Sequence, residues 1–90
     1  MATSGARGRK PRLPESLPEL SHVFGQEVRR LRRSSGFSQE DLADLAQIDR
    51  TTIGRIERGE LRATLEVANA IAKSFKMPLW KVLREAEENS

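Results

Sequence analysis

The chain has 90 residues, a net charge of +3 and no cysteine. That length suits one domain, which must use a modest core efficiently. Lack of cysteine excludes a disulfide framework and a thiolate metal site.

No apolar run approaches the roughly 20 residues that span a bilayer. No signal-peptide core follows Met1, so a cytoplasmic location is expected. The positive balance permits a nucleic-acid partner without identifying one. Its distribution is uneven. Arg7, Arg9, Lys10 and Arg12 lie in an N-terminal stretch without acids, whereas Glu85, Glu87 and Glu88 sit near the other end.

Residues 1–19 contain Gly5, Gly8, Pro11, Pro14 and Pro18 with few apolar groups, and read as a flexible basic arm. Residues 20–90 form the expected domain. Its first helix is expected from near Ser21 to just before Gly36, with Phe24, Val28 and Leu31 on its apolar side. Arg29, Arg30 and Arg33 point away from that side. Arg32 falls beside Val28, at the edge of it. His22 stands alone and reads as a surface or capping histidine, because a metal site needs several ligands.

The second helix is expected over about 38–46. Ser38 can accept a bond from a free backbone N–H, while Asp41 reaches back to Ser38. Leu42, Ala43, Leu45 and Ala46 give this helix its apolar side. The third helix, about 49–58, begins at a capping Asp49 and ends at Gly59, which suits the left-handed conformation. Ile53 and Ile56 form its buried stripe. Ala43 is small where two steeply crossing helices need a small side chain. This is the helix-turn-helix pattern, whose second helix enters the DNA major groove.

Leu61–Ala63 then form a loop, and Thr64 caps a fourth helix with Leu65, Ala68, Ile71, Ala72 and Phe75 inward. Met77-Pro78 breaks the chain and starts a fifth helix, about 78–87, because proline fits a first turn. Leu79, Val82, Leu83 and Ala86 form its buried side. No strand pattern, internal repeat or second domain is visible, so the expected class is all-α.

On a helical wheel, Asp49, Thr52, Ile53, Ile56 and Glu57 share one arc of the third helix. Arg50, Thr51, Gly54, Arg55 and Arg58 share the other. A solvated helix side is the plainer reading of a cationic arc, but the two-helix frame favours a reading face. The arginine fork matches the O6 and N7 acceptors of guanine. Glu57 sits at the edge of the inward arc, where an unpaired carboxylate is costly. Arg32 sits at the matching edge of the first helix, and the two are expected to pair.

Residues 24–83 resemble the Cro/C1-type helix-turn-helix family, also called the Xre family. The resemblance is carried by GQEVRRLRRSSGFSQEDLADLAQIDRTTIGRIERGE, then LEVANAIAKSF and MPLWKVL. It covers about two thirds of the chain. It implies a five-helix bundle of the lambda-repressor-like DNA-binding type, sequence-specific binding of double-stranded DNA, and transcriptional control, usually as a homodimer. Arg50, Thr51 and Arg55 match the family's base-reading positions. Gln39, at the start of the second helix, matches a glutamine that contacts phosphate or supports a base reader. Thr52 and Arg62 match positions that often touch phosphate, and Arg58 on the same cationic arc is grouped with them. Arg32 and Glu57 match a family ion pair. A DNA role would extend to Arg7, Arg9, Lys10 and Arg12, following the phosphates or entering a minor groove; a solvated tail is the alternative.

The chain departs from the family in three places. Gln47 stands where the turn usually has glycine. A left-handed Gln47 would carry a strain of about 1–2 kcal/mol; otherwise the turn is rebuilt. Ala63 replaces a frequent proline, and Gly54 removes a side chain often available for contact.

Trp80 projects beside the stripe of the fifth helix. It either covers the core rim or, with Leu79 and Leu83, anchors a dimer. Glu40, Asp41 and Asp44 serve as capping and dipole partners, or as an acidic patch facing RNA polymerase. The expected function is a repressor or autoregulator acting on a palindromic operator in the nucleoid, with no cofactor and no metal. The alternative is an antitoxin-type interaction module that neutralises a toxin partner. An enzyme is poorly supported, with one histidine, no tyrosine and no phosphate-binding glycine loop.

Overall fold

A computed structural model describes residues 16–90 in backbone and residues 20–90 in side chain. The arm residues Arg7, Arg9, Lys10 and Arg12 lie outside the described part. Five helices follow one another: α1 (Ser16–Ser34), α2 (Gln39–Ala46), α3 (Arg50–Glu57), α4 (Leu65–Ser74) and α5 (Leu79–Glu88). The described residues contain no strand. None of these helices is long and apolar enough to cross a membrane.

Local chemistry sets most of the boundaries. The Asp41 N–H donates to Ser38 Oγ at 2.9 Å, and the Ser38 N–H donates to Asp41 Oδ2 at 2.8 Å, closing a capping box before α2. Asp49 accepts from the Thr51 N–H at the start of α3, and Thr64 from the Val67 N–H at the start of α4. Pro78 precedes α5 without a side-chain cap. The turn between α2 and α3 keeps its left-handed residue: Gln47 has φ 58° and ψ 46°. The Ile48 N–H reaches the Ala43 carbonyl at 2.9 Å, so the carbonyls at the end of α2 are used despite the strain at Gln47. Helix α1 differs from expectation. It begins at Ser16 rather than near Ser21, so residues 16–19 belong to a helix and not to the arm.

Helix α1 packs on α3 and α5, α2 on α3 and α4, and α4 on α5. The core is built from Phe24, Val28, Leu42, Ala43, Ile53, Ile56, Ala68, Ile71, Ala72 and Val82. Two residues assigned inward by periodicity are exposed. Leu45 is 54% exposed, and Leu65 is 75% exposed. A stripe defines a direction, but the width of the covering helix decides how much of it is shielded. Leu45 lies past the edge of what α3 and α4 cover. Leu65 occupies the first position of α4, where its neighbours leave most of it uncovered.

The approach of α1 to α3 depends on Gly25. A Cβ there would overlap the Ile56 carbonyl oxygen and stand 3.1 Å from that of Glu57. Both are backbone atoms, which cannot rotate away. Two residues further along α1, Glu27 is buried, accepting from Arg30 Nε at 3.1 Å and from Asn89 Nδ2 at 3.0 Å. This carboxylate ties α1 to the last turn of α5. Arg30 holds the Glu27 carboxyl below its usual range; burial opposes this, and Asn89 reinforces it.

Gly25→Ala is expected to destabilise the bundle by about 1–3 kcal/mol, as overpacking does. A fall of about 4–8 °C in melting temperature per kcal/mol checks it by circular dichroism. Glu27 contributes stability above the ordinary carboxylate range and loses it as acid protonates the group. Glu27→Gln should therefore flatten the loss of stability at acid pH, measured by urea melts between neutral and strongly acidic pH.

Candidate nucleic-acid interface

Helix α3 is held from behind. Ile53 and Ile56 are in the core, and Glu57 between α1 and α2 is 2% exposed in its side chain. Arg32, 11% exposed in its side chain, donates from Nε to Glu57 Oε2 at 2.7 Å and from Nη2 to Oε1 at 3.1 Å. Its Nη1 donates to the Phe37 carbonyl at 2.9 Å. Gln39 donates from Nε2 to Glu57 Oε1 at 3.1 Å. One buried carboxylate thus joins α1, the start of α2 and the end of α3, while Arg32 also holds the loop between α1 and α2. Glu57 raises the Arg32 pKa further above its already high ordinary value, so this guanidinium stays charged.

The outward side carries Arg50, Thr51, Arg55 and Arg58, all exposed, with Thr52 half-buried. Arg62 is exposed in the loop after α3. Arg58 is paired: its Nε and Nη2 donate to the two Glu60 carboxyl oxygens at 3.0 and 3.2 Å. Arg58 also lowers the Glu60 pKa below the usual carboxylate range. Gly54 differs from the wheel's picture of an open position. It is buried, covered by the side chains of Gln39 and Arg58. Acids also stand on α2, where Glu40, Asp41 and Asp44 are exposed; Asp41 closes the capping box.

Sequence reasoning did not find two groups. The bond from Gln39 to Glu57 spans 18 positions and needs the crossing of α2 over α3. Glu27 reads as part of an ordinary charged helix face; its burial depends on α5. The only local signal was its position one residue before Val28 on the inward half of α1.

These features define a class of protein: a small all-α domain in which a two-helix frame presents one helix side to a partner. A helix-turn-helix domain family model matches residues 23–86, and the chain belongs to that family. It is 32% identical over 65 residues to control protein C.SmaI of Serratia marcescens, covering 72% of this chain and 77% of that one. It is 37% identical over 62 residues to the uncharacterized helix-turn-helix-type transcriptional regulator YgzD of Bacillus subtilis, covering 69% and 94%. Among solved structures it resembles the restriction-modification controller protein C.AhdI from Aeromonas hydrophila. That likeness has a TM-score of 0.67 and 34% identity, covering 71% of this chain and 96% of the other. The protein is a DNA-binding transcriptional regulator of the Cro/C1 type.

Removing one partner of the Arg32–Glu57 pair leaves a buried charge unpaired, at a cost of about 3–5 kcal/mol. Arg32→Ala should lower the denaturant midpoint accordingly. Arg32→Met with Glu57→Leu should recover part of that loss, because no lone charge remains.

Proposed function

We propose that the protein binds a palindromic DNA operator as a homodimer, laying α3 of each copy in the major groove to repress or autoregulate a promoter. The observation that carries this reading is the division of α3. Its isoleucines and Glu57 are locked inward, while Arg50, Thr51 and Arg55 stand free on one side. Arginine forks suit guanine edges, and threonine suits a base edge or a thymine methyl group. Thr52 and Arg62, with Gln39 and Arg58, flank that side where a phosphate backbone would pass. The likeness to control proteins supports the regulatory role.

Self-association is assigned to α5. Trp80 is 62% exposed. Leu79 and Leu83 of the same helix line, with Leu20, Phe24 and Leu65, an apolar groove of about 250 Å³. A second copy is the occupant that matches two half-sites about one helical turn, roughly 34 Å, apart.

Selection of bound fragments from random DNA tests the reading and should return a two-fold symmetric site. Arg50→Ala or Arg55→Ala should each relax preference at one base position, by about 1–3 kcal/mol. Arg62→Ala should weaken all sequences alike. Trp80→Ala should weaken both self-association, by sedimentation, and operator binding. A protein that enriches no sequence would overturn the proposal.

A further inference from the structure

Gly54 lies on the same side of α3 as Arg50, Thr51 and Arg55, four residues after Arg50 and four before Arg58. It has no side chain, and two polar groups lie over it. A Cβ at this position would stand 3.1 Å from Arg58 Nη1, 3.5 Å from Gln39 Oε1 and 3.7 Å from Gln39 Nε2. A donor and an acceptor from different elements therefore converge on one point above a bare Cα.

Each group is oriented by a carboxylate. Glu57 takes an N–H of Gln39 at 3.1 Å. An ionised carboxylate accepts and does not donate, so the Gln39 amide must turn its nitrogen toward Glu57. Its oxygen is then the end nearer Gly54. Glu57 is itself fixed by Arg32, so this orientation rests on buried groups. Glu60 takes Nε and Nη2 of Arg58. That leaves Nη1 as the donor nearest Gly54.

We propose that this pair of groups is a base-reading subsite: Gln39 Oε1 and Arg58 Nη1, held over Gly54, recognise the donor–acceptor edge of an adenine in the major groove. The inference rests on the DNA-binding mode proposed above and goes beyond it. It gives Gln39 and Arg58 a task more specific than backbone contact. Adenine presents an N6 amino donor beside the N7 acceptor. Gln39 Oε1 accepts from the first, and Arg58 Nη1 donates to the second. Guanine presents two acceptors, O6 and N7, and places O6 against the Gln39 oxygen. A phosphate presents acceptors only and gains nothing from Oε1. Gly54 is a positioning residue here. A methyl group would displace Arg58 Nη1 and press on the amide, yet both are ends of flexible side chains, so the fold would survive.

The test uses the full chain and the duplex recovered by selection. One adenine in each half-site should be sensitive to edge chemistry. Replacing it with 7-deazaadenine, which lacks N7, or with purine, which lacks the N6 amino group, should each weaken binding about tenfold. Arg58→Ala should abolish the first effect alone, and Gln39→Ala the second alone. Gly54→Ala should reduce both, while its melting temperature stays level or rises, because alanine favours a helix. The inference is overturned if Gln39→Ala and Arg58→Ala weaken every sequence by one common factor and neither altered base matters. It alone is overturned if the chain enriches a half-site through Arg50 and Arg55 without such an adenine. A chain that enriches nothing overturns the binding mode as well.

Discussion

Glu57 brings a negative charge into the bundle, and the orientation of α3 follows from how that charge is met. A carboxylate 2% exposed in its side chain needs its lone pairs filled. Arg32 fills them from α1 and Gln39 from α2. Three consecutive helices are therefore held to one pair of oxygen atoms. Hydrophobic packing of Ile53 and Ile56 gives α3 its adhesion to the core. Packing is non-directional, and the charged network adds the direction it lacks. With both in place, the outward side is presented at a defined angle.

Two glycines set distances on opposite sides of this helix system. Gly25 lets α1 approach α3 until only backbone separates them, which brings Arg32 within reach of Glu57. Gly54 does the reverse job on the outer side, leaving room for side chains from α2 and from the end of α3 to lie down. Neither glycine is needed for a turn. Both serve close approach, one of helices and one of polar side chains. The strain at the left-handed Gln47 belongs to the same economy of space. It keeps the turn between α2 and α3 short, so Gln39 and Glu57 meet.

The second buried carboxylate, Glu27, anchors a different junction. It binds Arg30 on its own helix and Asn89 at the end of α5. This clasp fixes α5 against α1 while Trp80 stays on the surface. Burial of charge therefore divides the molecule in two. Glu57 steadies the side assigned to DNA, and Glu27 steadies the helix assigned to self-association.

Much of this protein was legible in the residues alone. The caps at Ser38, Asp49 and Thr64 act within three residues, and the stripes of α1, α3 and α5 recur every three or four. Such local rules fix where helices form and which way they face, and Arg50, Thr51 and Arg55 fell on an outward arc for that reason. The start of α1 at Ser16 is not legible in the residues, because the proline- and glycine-bearing stretch around it hides the helical turn. Periodicity points Leu45 and Leu65 inward, yet both are exposed, because coverage depends on neighbours that periodicity does not describe. The same limit concealed the roles of Gly25, Glu27 and Gly54. The chain by itself determined the helices, their apolar directions and the cationic side of α3. Only the tertiary structure decided how closely α1 meets α3, which carboxylates are enclosed, and which atoms of Gln39 and Arg58 lie over Gly54. The Arg58 orientation follows from Glu60 two positions on, but the other outcomes depend on contacts across 18 to 62 positions, and no local pattern encodes a distance between helices.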